Sequence, residues 1–298
     1  MPFNPNSVPK PLLEELIEAV QRRSLVPFVG AGVSRQSGHN IPTRHDLINK
    51  MIDLASKGKY INQIEEKKMR RYLGNQQVLI VAEALRHRLP IDVYRNFLVE
   101  MFTPKETKGS KKNSHAIYKA LFGLRPPLIL TTNYDSLLED AYAEQYHQAA
   151  PVYTHRRADA VQRASMESRE NQRPVIFKIH GSISEPSEMI LTELDYRKST
   201  YDQLSYSALL STLFLTNNVL MIGFSPTDRE LTMLLDTLRQ NLRDDASPDY
   251  IFLPSDLAES KEALKFKETY NIEVISYDPS KGDAAMLEFL DYLAAQAK

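Results

Sequence analysis

Cysteine is absent from the 298 residues of this chain. That excludes disulfide staples, a thiolate nucleophile and every zinc or iron–sulfur site built on cysteine. The seven histidines (His39, His45, His87, His115, His147, His155 and His180) show neither an HExxH pattern nor close pairing, so no protein-held metal is expected. An excess of one charge is also missing. Lys and Arg number 37 against 38 Asp and Glu, a formal net charge of −1, which gives no bulk attraction to nucleic acid or to an anionic membrane. No apolar run approaches the ~18 residues of a membrane-spanning helix. The first residues, MPFNPNSVPKPLLEELIEAV, lack the charged-then-apolar plan of a signal peptide, so a cytoplasmic protein is expected. What is present is ordinary for a soluble globular protein: 42% hydrophobic and 25% charged residues, enough to bury a sizeable core.

Six short apolar runs read as buried strands: LVPFVG at 25–30, PLILTT at 127–132, VIFKIH at 175–180, NVLMIG at 218–223, YIFLP at 250–254 and IEVISY at 272–277. They are continuous rather than alternating, as strands covered by helices on both faces should be. PVYTH at 151–155 is a weaker seventh candidate. Amphipathic segments such as RELTMLLDTLRQNL (229–242) and DAAMLEFLDYLAAQA (283–297) lie between or after them. This alternation predicts an α/β fold, a doubly wound, parallel, Rossmann-like sheet of about six strands. Residues 46–125 break the pattern, because HDLINKMIDLASK, VLIVAEALRHRL, DVYRNFLVEMF and SHAIYKALFGL all carry helical spacing. The expected organisation is therefore a core of residues 1–45 and 126–298 with a helical module, 46–125, inserted after the first strand. The basic stretches KKMRR (67–71) and KETKGSKK (105–112) are read as solvated joints of that module rather than phosphate contacts.

Four strand ends carry residues capable of chemistry. The first runs into Gly30-Ala31-Gly32-Val33-Ser34, where a glycine pair lets backbone amides approach a pyrophosphate, or simply makes a strand–helix turn. Arg35 stands where a full GxGxxG would need glycine, which disfavours a dehydrogenase, and no Walker A lysine follows. The second ends in Thr131-Thr132-Asn133-Tyr134-Asp135; Asn133 and Asp135 can face a ligand, or cap the helix that follows. The third delivers His180 before Gly181, placed for proton transfer near neutral pH or serving as a structural histidine. The fourth ends in Gly223-Phe224-Ser225-Pro226-Thr227-Asp228, with Ser225 and Thr227 as two candidate helix starts. Together these ends bring Gly, Ser, Asn, Asp and His to one edge of the sheet.

In this order GAGVS, the proline loop IPTRHDL, TTNYD, KIHGS and GFSPTDREL resemble the sirtuin-like (SIR2-like) family, over about residues 20–280, and most closely its bacterial antiphage-defence branch. The resemblance implies that NAD⁺ is bound and its nicotinamide–ribose bond cut. By that resemblance Gly30, Ala31, Gly32 and Ser34 hold the pyrophosphate, and Asn133 and Asp135 face the nicotinamide ribose and carboxamide. His180 becomes the base, and Gly223, Ser225 and Asp228 handle the adenosine half. Deacylase sirtuins generally carry a four-cysteine zinc ribbon, which a chain without cysteine cannot form. Water is thus the expected acceptor, with NAD⁺ hydrolysis to nicotinamide and ADP-ribose. A deacylase or ADP-ribosyltransferase, and a non-catalytic nucleotide-binding module, are the alternatives. With the sequence taken up by a catalytic core, control is expected from self-association into a homo-oligomer, or from a partner of the kinds the family uses: a HerA-type ring ATPase or an Argonaute-like protein.

Overall fold

In the computed structural model, residues 4–5, 8–75, 77–105, 115–199, 204–239 and 248–296 are described. Helix α1 (Lys10–Gln21) leads into β1 (Leu25–Val29), the short α2 (Ala31–Gln36), and then α3 (Arg44–Lys57), α4 (Gln63–Gly74), α5 (Val78–Arg88), α6 (Ile91–Phe102) and α7 (Ala116–Gly123). Strand β2 (Leu128–Thr131) follows, then α8 (Leu137–Tyr146), β3 (Val152–Thr154), α9 (Ala158–Asn171) and β4 (Val175–Lys178). The second half runs α10 (Glu193–Arg197), α11 (Leu204–Thr216), β5 (Asn218–Ile222), α12 (Arg229–Arg239) and β6 (Asp249–Pro254). It closes with α13 (Ser255–Ala258), α14 (Lys261–Tyr270), β7 (Ile272–Tyr277) and α15 (Asp283–Gln296).

The strands form one seven-stranded sheet in the order β3-β4-β2-β1-β5-β6-β7, with every pairing parallel. All six strong apolar runs are strands, and the weak run at 151–155 supplies a seventh, β3, which pairs only with β4 at the sheet's edge. Side chains explain why these runs are continuous. Leu25 and Val29 of β1 enter one core with Ile129, Ile176, Leu220 and Phe252, while Val26 and Phe28 enter the opposite core with Leu130, Phe177 and Met221. Each strand thus feeds two apolar layers by its period of two. The first layer holds α1, the helices α3–α8 and α15; the second holds α9, α11, α12 and α14.

The described residues between β1 and β2 are helical or turn, without a strand. These helices are continuous with the sheet's own core: Leu47, Met51, Leu85, Leu98 and Leu121 share one cluster with Ile129 and Phe289. KKMRR does not lie at a joint. It sits inside α4, a helix begun by a capping box in which Asn62 accepts from Glu65 N–H and Glu65 reaches back to Asn62 N–H. Arg70 of that run bonds Glu66 and Asp53, so its charge is matched along the helix and across to α3. Residues 106–112 of the other basic stretch lie outside the described residues. Among the described residues no helix is long and apolar enough to cross a membrane.

The chain order turns at β1: β2 is laid on one side of it and β5 on the other. This reversal opens a crevice at the carboxyl ends of the strands, the place where doubly wound sheets bind ligands.

Candidate active site

A cleft of about 710 Å³ occupies that crevice. Its floor comes from the strand ends through Ala31, Gly32, Asn133, Asp135, Gly223, Ser225 and Asp228. Its far wall comes from the helices between β1 and β2, through Arg44, Gln77, Val78, Ile80 and Phe102. Gly30, Ser34 and His180 are not part of the cleft wall; they stand behind it.

The two glycine turns interlock. Gly32 N–H donates to Gly223 O at 2.8 Å, and Gly30 N–H to Ile222 O at 2.8 Å. A Cβ on Gly32 would meet Gly223 O at 2.7 Å, and Gly223 holds a φ of +74°, so a side chain at either position would force the turns apart. The glycines are therefore required by the close approach of β1 and β5. Two of the residues expected to face a pyrophosphate have their amides engaged within the fold: Gly30 N–H by Ile222 O and Gly32 N–H by Gly223 O.

At the end of β2 the two capping candidates differ, although both line the cleft. Asp135 Oδ1 accepts Leu137 N–H at 3.1 Å, a cap-like bond at the start of α8. Asn133 turns elsewhere: its Nδ2 donates to Gly30 O at 3.1 Å and to Ser34 Oγ at 2.9 Å. The reverse orientation would set Oδ1 against the Gly30 carbonyl, two acceptors facing each other, so the amide is fixed. Its Oδ1 is buried and has no hydrogen-bond partner among the described residues. Such an atom costs about 1–3 kcal/mol of lost solvation unless something donates to it.

Ser34 Oγ donates to Asp135 Oδ2 at 2.8 Å and lies 3.2 Å from Tyr118 OH. A hydroxyl has one proton and two lone pairs, so with Asp135 ionised Ser34 accepts from both Asn133 and Tyr118. Burial raises the Asp135 carboxyl above its ordinary range, opposed by the charge of Lys178 and the bonds from Ser34 and Leu137.

His180 is 2% exposed. Tyr196 packs edge-on to its ring, with the hydroxyl 3.4 Å from both ring nitrogens. Arg44 Nη2, from the cleft wall, donates to Tyr196 OH at 3.1 Å and to Tyr134 OH at 2.9 Å. Burial, then Arg44 and His155, hold the His180 pKa well below its ordinary value, so the imidazole is neutral at physiological pH. The helix after β5 is started by Asp228 rather than Ser225 or Thr227: Asp228 Oδ1 accepts Leu231 N–H at 3.3 Å, while Ser225 and Thr227 bond each other. Ser225 is exposed at the cleft mouth and Asp228 half-buried.

The sequence reading passed over Arg44, Tyr196, Tyr118 and Lys178. Arg44 did leave a signal, since it is the first residue of α3, where a cation opposes the helix dipole. Lys178 was visible too, as a charge inside an apolar strand.

Fold and cleft define a doubly wound α/β protein whose cleft lies where its strand order reverses. Residues 127–275, half of the chain, match the family model described as SIR2-like domain, and the chain belongs to that family. It is 28% identical over 276 residues to a protein named NAD(+) hydrolase ThsA from Enterococcus faecium, covering 89% of this chain and 51% of that one. A ThsA of the same name from Bacillus cereus (strain MSX-D12) is 32% identical over 123 residues, 41% of this chain and 24% of that protein. Defense-associated sirtuin 2 of Bacillus subtilis is 22% identical over 273 residues, 88% of this chain and 24% of the relative. The chain spans about half the length, or less, of these curated relatives.

Proposed function

We propose that this chain is an NAD⁺ glycohydrolase that cuts the nicotinamide–ribose bond with water, releasing nicotinamide and ADP-ribose as part of a bacterial antiphage defence. One observation carries the reading: Asn133 lines the cleft with both N–H groups engaged by Gly30 and Ser34, which leaves its buried Oδ1 an acceptor without a partner among the described residues. A water donating to that oxygen is held with a lone pair free to attack the anomeric carbon. Cleavage builds positive charge on the ribose, and Asp135 on the cleft floor beside Asn133 would stabilise that charge in its carboxylate form, which Lys178 favours against burial. His180, neutral at working pH, accepts the proton released, passed inward by the Tyr196 hydroxyl against its ring. Ala31 and Gly32, which line the cleft, border the diphosphate with Gly30 and Ser34 supporting them from behind, and Gly223, Ser225 and Asp228 border the adenosine half. The names of the ThsA relatives and of the defence-associated sirtuin support both activity and setting.

Two rivals remain in view. A deacylase needs an acyl-lysine channel, and the absence of cysteine leaves this chain without the zinc ribbon that accompanies it. A pure nucleotide binder would use the acceptor at Asn133 for a ribose hydroxyl or an amide of the ligand, and it is told from the enzyme by turnover: it would bind NAD⁺ and leave it intact. The test is purified protein with NAD⁺, assayed chromatographically with and without an acetyl-lysine peptide. Nicotinamide released in the absence of peptide supports hydrolysis; release only with peptide would move the assignment to the deacylase.

An unregulated NAD⁺ hydrolase would harm its own cell. The proposal therefore includes a cytoplasmic homo-oligomer restrained until triggered, with a HerA-type ring ATPase favoured over an Argonaute-like protein as partner. The helices between β1 and β2, which form the cleft's far wall, would act as its cover.

A further inference from the structure

Lys178 ends β4 with its side chain entirely buried, an unusual place for a lysine. Its Nζ donates to Asp135 O at 2.5 Å, to Tyr134 O at 3.3 Å and to Glu139 Oε1 at 2.5 Å. Two of these acceptors are consecutive carbonyls of the turn that carries Asn133 and Asp135. The lysine itself is two residues from His180. Neither Lys178 nor Glu139 lines the cleft.

We propose that Lys178 is a positioning residue: its ammonium locks the turn bearing Asn133 and Asp135 to the strand end bearing His180, and so keeps the two reacting groups in register. The inference rests on the hydrolase reading above.

The physical case has two parts. The first is mechanical. Strands β2 and β4 are paired only as far as Thr131 and Lys178, so their hydrogen-bonded ladder stops short of both turns. Beyond it, Ile179 N–H still bonds Thr131 O at 3.0 Å, and Ile183 N–H bonds Tyr134 O at 2.9 Å. Lys178 adds the tie to Asp135, whose side chain meets that of Asn133 on the shared Ser34 hydroxyl. The second part is electrostatic. The Asp135 carboxyl is faced by Ser34 from α2, Tyr118 from α7, Glu139 from α8 and Lys178 from β4. Lys178 is the only cation in that set, and burial works against both carboxylates. Without it Asp135 would take up a proton at higher pH, and with that proton on Oδ2 the carboxyl would donate to Ser34 instead of accepting from it. The Tyr118–Ser34–Asp135 chain would then have to reverse.

A Lys178→Met variant alone would leave Glu139 charged and buried, so the test uses Lys178→Met/Glu139→Gln, with Glu139→Gln as its control. Three readouts are taken on the full chain: kcat and KM for NAD⁺, the pH profile of kcat, and the Asp135 carboxyl titration by ¹³C NMR. The expected result for the folded double variant is kcat lower by about tenfold or more with KM little changed. Its acid limb and its Asp135 titration should both move to higher pH, while Glu139→Gln alone keeps the wild-type profile. Wild-type turnover in the double variant would overturn the proposal, even if the carboxyl titration moved. So would an unmoved titration and acid limb. Should the unmodified protein leave NAD⁺ intact, the hydrolase reading fails on its own, and the carboxyl titration still decides whether Lys178 governs Asp135.

Discussion

Asn133 gives both amide protons to the protein, one to Gly30 O and one to Ser34 Oγ, and its buried Oδ1 alone is left without a partner among the described residues. His180 is the opposite case, a group with the right chemistry set one layer back, behind Tyr196 and Tyr134. If it is the base, His180→Ala should lower NAD⁺ turnover by about 10²–10⁴ while leaving NAD⁺ affinity nearly unchanged. Nicotinamide release and calorimetry on the same preparation measure the two. Undiminished turnover would return His180 to a purely structural role. At this scale the sequence made the residue types and their common edge legible, since TTNYD and KIHGS both fall where parallel strands end. It could not show direction. Whether Asn133 caps a helix or turns inward depends on Gly30 and Ser34, about 100 positions away in the chain, and no local pattern encodes that contact. Arg44 and Lys178 escaped for a related reason: each acts through partners on other elements.

Among the elements, the strands were the most legible, because a run buried on both faces must be apolar at every position. The helices between β1 and β2 were legible where their spacing is apolar, and α4 was not. It buries only Met69 and Leu73, so KKMRR read as a joint although Asn62 and Glu65 mark a helix start just before it. Elsewhere in the sheet, β6, between β5 and the edge strand β7, opens with Asp249, whose Oδ1 accepts Val219 N–H at 2.7 Å. Burial pushes its carboxyl up to about 8 from an ordinary 3.8. Folding therefore takes up a proton between those values. The stability tied to this group is fully present below the unfolded pKa and lost as pH rises through about 8. The expected outcome is a melting temperature that falls as pH rises between about 4 and 8, and a flatter profile in Asp249→Asn, which keeps the acceptor and removes the charge. Thermal melts of the two proteins across that window check it; parallel curves would show that Asp249 is ionised in the native state.

On the scale of the whole molecule, one apolar cluster runs from the sheet through the helices of residues 46–125 to α15, so Met286, Phe289, Leu290 and Leu293 are buried within the chain itself. Self-association would have to use other surfaces, and Ile64 and Met166 are among the exposed apolar side chains that could contribute. Light scattering of the purified protein is expected to show a homo-oligomer with low NAD⁺ turnover; a monomer with full constitutive activity would contradict the proposed restraint. The fold class was readable from the alternation of strands and helices, whereas the cleft's far wall was not, since it forms only when residues 44–102 fold back over strand ends distant in sequence. The most direct measurement of all compares NAD⁺ turnover and NAD⁺ affinity in the unmodified chain and in Asn133→Ala under triggering or concentrated conditions. Equal amounts of nicotinamide and ADP-ribose should accumulate from the unmodified chain, and turnover should fall by about 10²-fold or more in the variant with NAD⁺ still bound. NAD⁺ bound but left intact by the unmodified chain, or cleaved equally well without Asn133, would contradict hydrolysis in this cleft.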